Sequence, residues 1–427
     1  MDFEIVHARK RSAVWFLFFL GTAAYLALTA NQFLAKQFSE VPRASYLRKA
    51  IELDPSNAEY RDHMGRFQLL VQQSPADALP WLQAATSLNP NRSEYWLDRA
   101  TAEHLIGNFD SERNSLDKVS ATNPHSAEVA WQVANLYLSQ NALEPALREY
   151  RKVLESDSPL SPQALQLCWR VRPDIDFVLQ NVVPDSADER FLSFLVSSKE
   201  PEAAAKVWER IVTLQQPVER RLLFDYLRYL SANHDPVQAS RVWQQAANLS
   251  GLAAYQPTEE NLLVNGDFSL SILNNGFDWI YQKSSAVSLA IDPDASHFGS
   301  PSLRIVFHGP GIEDAGIRQL ISVDPDTGYV FSGSYKAAEM DGVGAPKFAI
   351  QDVYSGDKLF LSDDLRDAES WTSVNGSFTT GPETHLIVLR VARVPADRPI
   401  RGKLWINGLK LVTSAHAASV VSAKEHP

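Results

Sequence analysis

The chain reads as a multidomain protein: an N-terminal transmembrane helix, an all-α solenoid of repeated helix pairs, and an all-β sandwich or jelly roll. Three observations predict this. The run Ala13 to Ala30 is uncharged and mostly apolar, directly after Arg9, Lys10 and Arg11. Prolines recur at a fixed period through the first half, at Pro55, Pro90, Pro124 and Pro159. Beyond residue 260 the texture changes to short alternating strands separated by Gly, Asp, Pro and Asn.

The apolar run comes first. With Asn31 to Ala35 added, it exceeds the roughly 20 residues a helix needs to cross a ~30 Å hydrocarbon core. The basic cluster in residues 1–12 holds the N-terminus in the cytoplasm. A single-pass anchor over 13–35 then places the bulk of the chain in the periplasm or outside the cell. A cleaved signal peptide competes, but Leu28-Thr29-Ala30 has Leu where cleavage wants a small residue. A buried core helix also competes, and the flanking basic cluster speaks against it.

Composition narrows the rest. The 427 residues allow two or three domains, and 21 % charged with 45 % apolar is ordinary for globular protein. Of the net charge of −11, residues 36–260 carry 23 basic against 30 acidic side chains, and 261–412 carry 13 against 18. The two differences, −7 and −5, exclude the basic footprint of a nucleic-acid binder. They also argue against docking flat on anionic lipid. The single cysteine, Cys168, permits no intrachain disulfide and reads as a small buried hydrophobe.

The proline spacings of 35, 34 and 35, with Pro184 and Pro217 33 apart, are the signature of a helix-turn-helix repeat. Tyr46, Trp81, Ser115, Tyr150 and Trp208 stand nine residues before prolines, and Trp243 follows Trp208 by 35. Gly65, Ala100 and Ala134 stand ten after. Gly107 and Asn141 take matching turn positions. The small residue lets two helices approach, the aromatic fills the space where the next pair stacks, and the proline ends a helix. These units, from about 43 to 251, resemble the tetratricopeptide repeat. The unit between Pro159 and Pro184 is degenerate, being interrupted by Pro162 and Pro173. The resemblance implies a concave groove that holds a protein partner.

Residues 252–260 read as a linker, and 413–427 as a loose tail. Between them, candidate strands include Ser302 to Phe307, Gln319 to Val323, Tyr329 to Tyr335, Leu386 to Val391 and Lys403 to Leu411. Asn261-Leu262-Leu263-Val264-Asn265-Gly266-Asp267-Phe268 opens this region, and Gly276-Phe277-Asp278-Trp279 follows. Next come Gly299 to Ile305, Ile317 to Ile321, Gly328 to Gly333, Trp371 with Phe378, and Gly402 to Leu411. In order and spacing, 261–412 resembles the carbohydrate-binding modules of families four and nine, which are β-jelly rolls. The resemblance implies an aromatic sugar platform, for which Tyr281, Tyr335, Tyr354 and Trp405 are the candidates; Trp279 reads as core. It also implies a structural calcium. Asp267 and Asn407 are the residues to hold one, although Ser269 and Asn407 stand where the family carries acids.

Catalytic signatures are missing. There is no Gly-x-Ser-x-Gly elbow and no phosphate loop, since Ile317 stands where Gly309-Pro310-Gly311 would need a lysine to follow. His297 and His308 flank a strand, and the acid pairs Glu313-Asp314 and Asp363-Asp364 read as loop residues. The expected function is a membrane-anchored, non-enzymatic envelope scaffold. Its repeats hold a protein and its jelly roll a glycan, in the biosynthesis or export of surface polysaccharide. Two alternatives stand beside it: a pure protein-interaction scaffold without sugar affinity, and a degenerate glycan-processing enzyme.

Overall fold

The structure is a computed structural model that describes residues 2–425 except 157 and 367, with side chains described over 15–419. The basic cluster Arg9 to Arg11 lies outside the described side chains. The chain divides into two compact units, Met1–Phe194 and Leu195–Pro427.

The first unit opens with α1 (Asp2–Ser39), one unbroken helix. Trp15–Ser39 is long and apolar enough to cross a membrane. Antiparallel helices follow: α2 (Ala44–Leu53), α3 (Ala58–Arg66), α4 (Pro75–Leu88), α5 (Ser93–Leu105), α6 (Phe109–Thr122), α7 (Ala127–Ser139) and α8 (Leu143–Glu155). Each pair is closed by a residue in the left-handed region, at Gln73, Gly107 and Asn141, with φ of 54°, 79° and 59°. The 34-residue recurrence of that backbone kink is the physical form of the period. The small residues are packing contacts. Ala100 and Ala134 are fully buried, and a Cβ at Gly65 would stand 2.5 Å from the Leu82 side chain. α3 and α4 therefore meet at a distance that only glycine permits. In the degenerate unit, α9 (Ser161–Val171) is followed by α10 (Ile175–Asn181), a helix of only seven residues. Cys168 is buried on α9, and burial pushes its thiol up to about 12.

The helix α11 (Asp188–Ser198) leads into α12 (Pro201–Thr213), α13 (Arg220–Ala232) and α14 (Pro236–Leu249) of the second unit. Trp208 and Trp243 fill their cores, 0 % and 2 % exposed. The stretch read as a linker is folded. Leu252 is fully buried, Trp243 Nε1 donates to the Tyr255 carbonyl at 3.0 Å, and Gln256 Nε2 donates to the Trp243 carbonyl at 3.1 Å.

The β-domain contains β1 (Ile280–Tyr281), β2 (Val287–His297), β3 (Ser300–Gly309), β4 (Asp314–Ser322), β5 (Gly328–Gly342), β6 (Pro346–Asp352), β7 (Lys358–Leu361), β8 (Thr372–Thr379), β9 (Leu386–Arg393) and β10 (Ile400–Thr413). They form two five-stranded antiparallel sheets, β1-β4-β9-β6-β7 and β2-β3-β10-β5-β8, packed as a sandwich. Alternation sends Leu303, Ile305 and Phe307 inward against Phe331, Phe348 and Leu404. Where a loose tail is expected, residues Ser414–Glu425 continue as helix α15.

The opening motif is structural. Asn261 Oδ1 accepts the amide N–H of Leu263 and of Leu411, while its Nδ2 donates to the Leu409 carbonyl. A Cβ at Gly266 would stand 2.1 Å from that carbonyl oxygen, so glycine is required where the motif crosses the β10 bulge. Gln319, fully buried, mimics a strand partner: its side-chain amide both donates to and accepts from the Val264 backbone. Trp279 is core, its indole N–H donating to the Asn265 carbonyl at 3.0 Å.

Candidate functional site

Four aromatic residues are the expected sugar platform, and the structure scatters them. Tyr335 pairs with Ile406 on the inward face and is 8 % exposed in the core, so it offers no surface ring. Tyr354 serves as a joint. Its ring stacks on His234 with centroids 4.4 Å apart, and its hydroxyl donates to the Ser231 carbonyl at 3.2 Å. Trp243 meets Phe277 at 5.8 Å in the same way. The α13–α14 pair and the sandwich are thus packed together through the very ring expected to meet sugar.

Trp405 lies on the outer face of its sheet, in register with Arg304 on β3 and Lys336 on β5. Its indole N–H donates to Asp292 at 2.9 Å, and Arg304 Nη1 approaches the same carboxylate oxygen at 3.2 Å. The Lys336 ammonium sits 6.0 Å over the ring. The Trp405 hydrogen bond, ahead of the neighbouring amides and Arg304, holds the Asp292 carboxyl below its usual value. At the tip of the β2–β3 hairpin, His297 stacks on Trp371 at 4.5 Å.

Tyr281 lines a cleft of about 520 Å³, within the range of small-ligand sites. Its floor is Val287, Leu289, Leu303 and Ile317; its polar rim is Gln282, Lys283, Ser284 and Ser288. Tyr281 is 36 % exposed. The arrangement offers one ring, one amide, one ammonium and the Ser284 hydroxyl beside an aliphatic wall, while Ser288 turns its hydroxyl to His308 Nε2 at 2.6 Å. Sequence reading missed the rim. The only signal was the polar run Gln282 to Ser285 after a two-residue edge strand.

The residues expected to hold calcium do not fit it. Asn407 is 1 % exposed, and its side-chain nitrogen donates to the carbonyls of Pro301 at 2.6 Å and Asp267 at 3.3 Å, with that of Ser300 at 3.5 Å. The oxygens a hard cation would need are turned onto N–H groups. Asp267 spends its carboxylate on the Ser269 amide (3.2 Å), the Ser269 hydroxyl (2.8 Å) and the Ser300 hydroxyl (3.1 Å). Burial raises this carboxyl, and the Ser269 and Ser300 bonds outweigh it, leaving the group below its usual value. One carboxylate and a donating amide close on each other's surroundings as a hydrogen-bonded clasp. No group of three or more His, Cys, Asp or Glu suited to a metal occurs among the described residues.

In the first unit several acids are buried. Glu103 (1 % exposed) takes Arg99 at 2.8 Å and the Ser115 hydroxyl at 2.7 Å. Glu112 (fully buried) takes Gln140 at 2.6 Å and His104 at 3.2 Å. Asp62 on α3 is buried near Asp98 on α5; burial first, then the Asp98 charge, pushes Asp62 up, to about 8. An apolar ridge is left in the open at the helix-pair turns: Leu70 and Val71, then Leu105 and Ile106 one repeat later, with Phe109 beside them. Their exposures, from 40 % to 63 %, exceed what a closed core leaves.

No family model and no curated protein matches the chain. Solved structures of two kinds resemble parts of it. One crystal structure of MamA is 19 % identical with a TM-score of 0.28, covering 37 % of this chain and 88 % of that one. Another is 16 % identical with a TM-score of 0.30, covering 45 % and 97 %. A CBM4 structure is 14 % identical with a TM-score of 0.28, covering 36 % and 99 %. The CBM22-1 xylan-binding domain from Paenibacillus barcinonensis Xyn10C is 14 % identical with a TM-score of 0.26, covering 35 % and 91 %. The chain is an all-α repeat region joined to a β-sandwich, and similarity at this level concerns architecture alone.

Proposed function

We propose that this protein is a membrane-anchored, non-enzymatic scaffold of the cell envelope. In this reading the repeats hold a protein partner and the sandwich holds a glycan in the Tyr281 cleft. The carrying observation is the cleft itself: an aromatic ring, an amide, an ammonium and the Ser284 hydroxyl belong to residues that line one concavity. Sugars present both C–H faces and hydroxyls, so they match that mixture better than a wholly apolar ligand does. The open ridge from Leu70 to Phe109 supports a protein partner for the repeats. In this reading an anchor over 13–35 puts both modules outside the cytoplasm, in a role in the assembly or export of surface polysaccharide; the length and apolarity of Trp15–Ser39 support the anchor.

The test is binding of soluble xylan and β-1,4-glucan oligosaccharides to the full chain in detergent, by titration calorimetry. Loss of binding in Tyr281→Ala, with retention in Tyr354→Phe, supports the cleft. Retention in Tyr281→Ala with loss in Trp405→Ala moves the platform to the outer face. No binding to these or to envelope polysaccharides leaves the pure scaffold, which the apolar ridge alone supports.

A further inference from the structure

The span and the first helix of the repeat array are one piece of helix, α1. From Trp15 to Leu34 every side chain of α1 is exposed, and the next, Ala35, is fully buried. Twenty consecutive exposed residues make a rod about 30 Å long, the thickness of a hydrocarbon core. Ala35 packs with Ala50 of α2 and Tyr60 of α3, and the Phe38 ring meets Tyr46 at 5.7 Å. The last turns of α1 therefore act as the first helix of the array. Between α1 and α2 there are only residues 40–43, too few for a flexible tether.

That continuity fixes a direction. α2 runs antiparallel to α1, and its ten residues retrace about 15 Å. Leu53 thus returns to the level of roughly Ala30. α3 then runs parallel to α1, since one cavity takes Gln32, Lys36 and Ser39 on α1 beside Asn57, Tyr60 and His63. The loop Asp54–Asn57 lies on the membrane side of the array, and the next loop, Asn89–Arg92, repeats its position. The turns bearing Leu70, Val71, Leu105 and Ile106 lie on the opposite edge, a 13-residue helix or about 20 Å further out.

We propose that the loop edge formed by Asp54–Asn57 and Asn89–Arg92 rests in the lipid headgroup layer, so that the array stands on the bilayer edge-on and holds its apolar ridge away from it. The inference rests on the reading of α1 as a membrane span. The edge has the chemistry for zwitterionic headgroups: Lys36 and Arg92 for phosphate, Asp54 and Glu59 for ammonium, with Ser56, Asn57 and Asn89 to bond the rest. Asp54 and Glu52 cannot enter hydrocarbon, so the boundary falls near Ala30. Ala13 to Ala30 then spans about 27 Å, and Asn31 to Ala35 stands above the hydrocarbon.

The test uses the full chain in phosphatidylcholine vesicles doped with a headgroup-nitroxide lipid. Single cysteines carry a fluorophore in a Cys168→Ala background. Ser56→Cys and Asn91→Cys mark the loop edge; Gln72→Cys and Leu105→Cys mark the ridge. The expected result is quenching several-fold stronger at the loop edge than at the ridge. Equal quenching, or stronger quenching at the ridge, in protein that floats with the vesicles overturns the edge-on arrangement and leaves the anchor intact. Failure to float with vesicles overturns the membrane reading and this inference with it.

Discussion

Replacing Asn407 by aspartate isolates the role of the clasp. The substitution keeps the shape and removes the side-chain N–H groups that reach Pro301 O at 2.6 Å and Asp267 O at 3.3 Å. Two carbonyls lose a buried donor, about 1–3 kcal/mol of desolvation left uncompensated. The new carboxylate, in a site 1 % exposed, faces those carbonyls. It has no cation to offset it. If burial lifts its pKa by about three units, the charged form costs about 4 kcal/mol at and above neutrality. The two terms sum to about 5–7 kcal/mol, at or above the roughly 3–5 kcal/mol that an uncompensated buried charge costs. For a domain of this size that lowers the sandwich transition by about 15 °C. The sign follows from linkage. The folded variant binds the proton more tightly than the unfolded chain. Its charge penalty is therefore absent below the unfolded carboxyl pKa near 4 and grows as pH rises through the raised folded value. Calcium should then matter in the variant alone, because the exchange turns an amide donor into a carboxylate ligand among carbonyls. Differential scanning calorimetry of the full chain at pH 4.5 and 8, with and without millimolar calcium, reads all of this. A variant that melts with the parent at pH 8 without calcium overturns this account of the clasp. So does calcium that raises the parent's transition as much as the variant's.

Other perturbations probe the remaining joints. Asp62→Asn removes a carboxyl that burial and Asp98 hold above its usual value. Because a raised folded pKa gives stability that is lost as pH rises, the variant should gain on the parent at pH 9 and show little gain at pH 5, by thermal melts across that range. Gly266→Ala places a methyl 2.1 Å from the Leu409 carbonyl. It should cost about 2–4 kcal/mol through displaced backbone, read as a lower sandwich transition with the helical transition unchanged. Trp208→Ala empties a fully buried site and should cost about 3–5 kcal/mol. Hydrogen exchange would place the loss in α12 and α13, where Tyr226 packs on that ring at 5.7 Å. A loss spread evenly over the sandwich would contradict the local account.

Much of the fold was legible because it is periodic. The proline ruler, the small residues at Gly65, Ala100 and Ala134, and the turn residues Gly107 and Asn141 all mark a local geometry that repeats. Strand alternation placed Trp405 outward and Leu404 and Ile406 inward, since side chains on a strand change face at every residue. The same parity puts Tyr335, one residue from Lys336, in the core. The candidate site was less legible. Tyr354 sits in a loop with no parity to read, and its fate was set by Ser231, 123 residues away. The polar rim of the Tyr281 cleft comes from residues adjacent in sequence, but the wall opposite them belongs to β2 and β3.

Local signals along the chain set where helix gives way to strand, which helix is apolar enough to meet lipid, and which residue types must sit at each close approach. These follow from forces acting over a few residues: hydrophobic period, backbone freedom and turn chemistry. Only the tertiary structure decided that α1 is also the first repeat helix, that Tyr354 joins helix to sandwich, and that Asn407 closes on Asp267 across 140 residues. Such contacts are chosen by whole faces seeking burial and by buried polar groups seeking partners, and no spacing along the chain records which partner lies nearest.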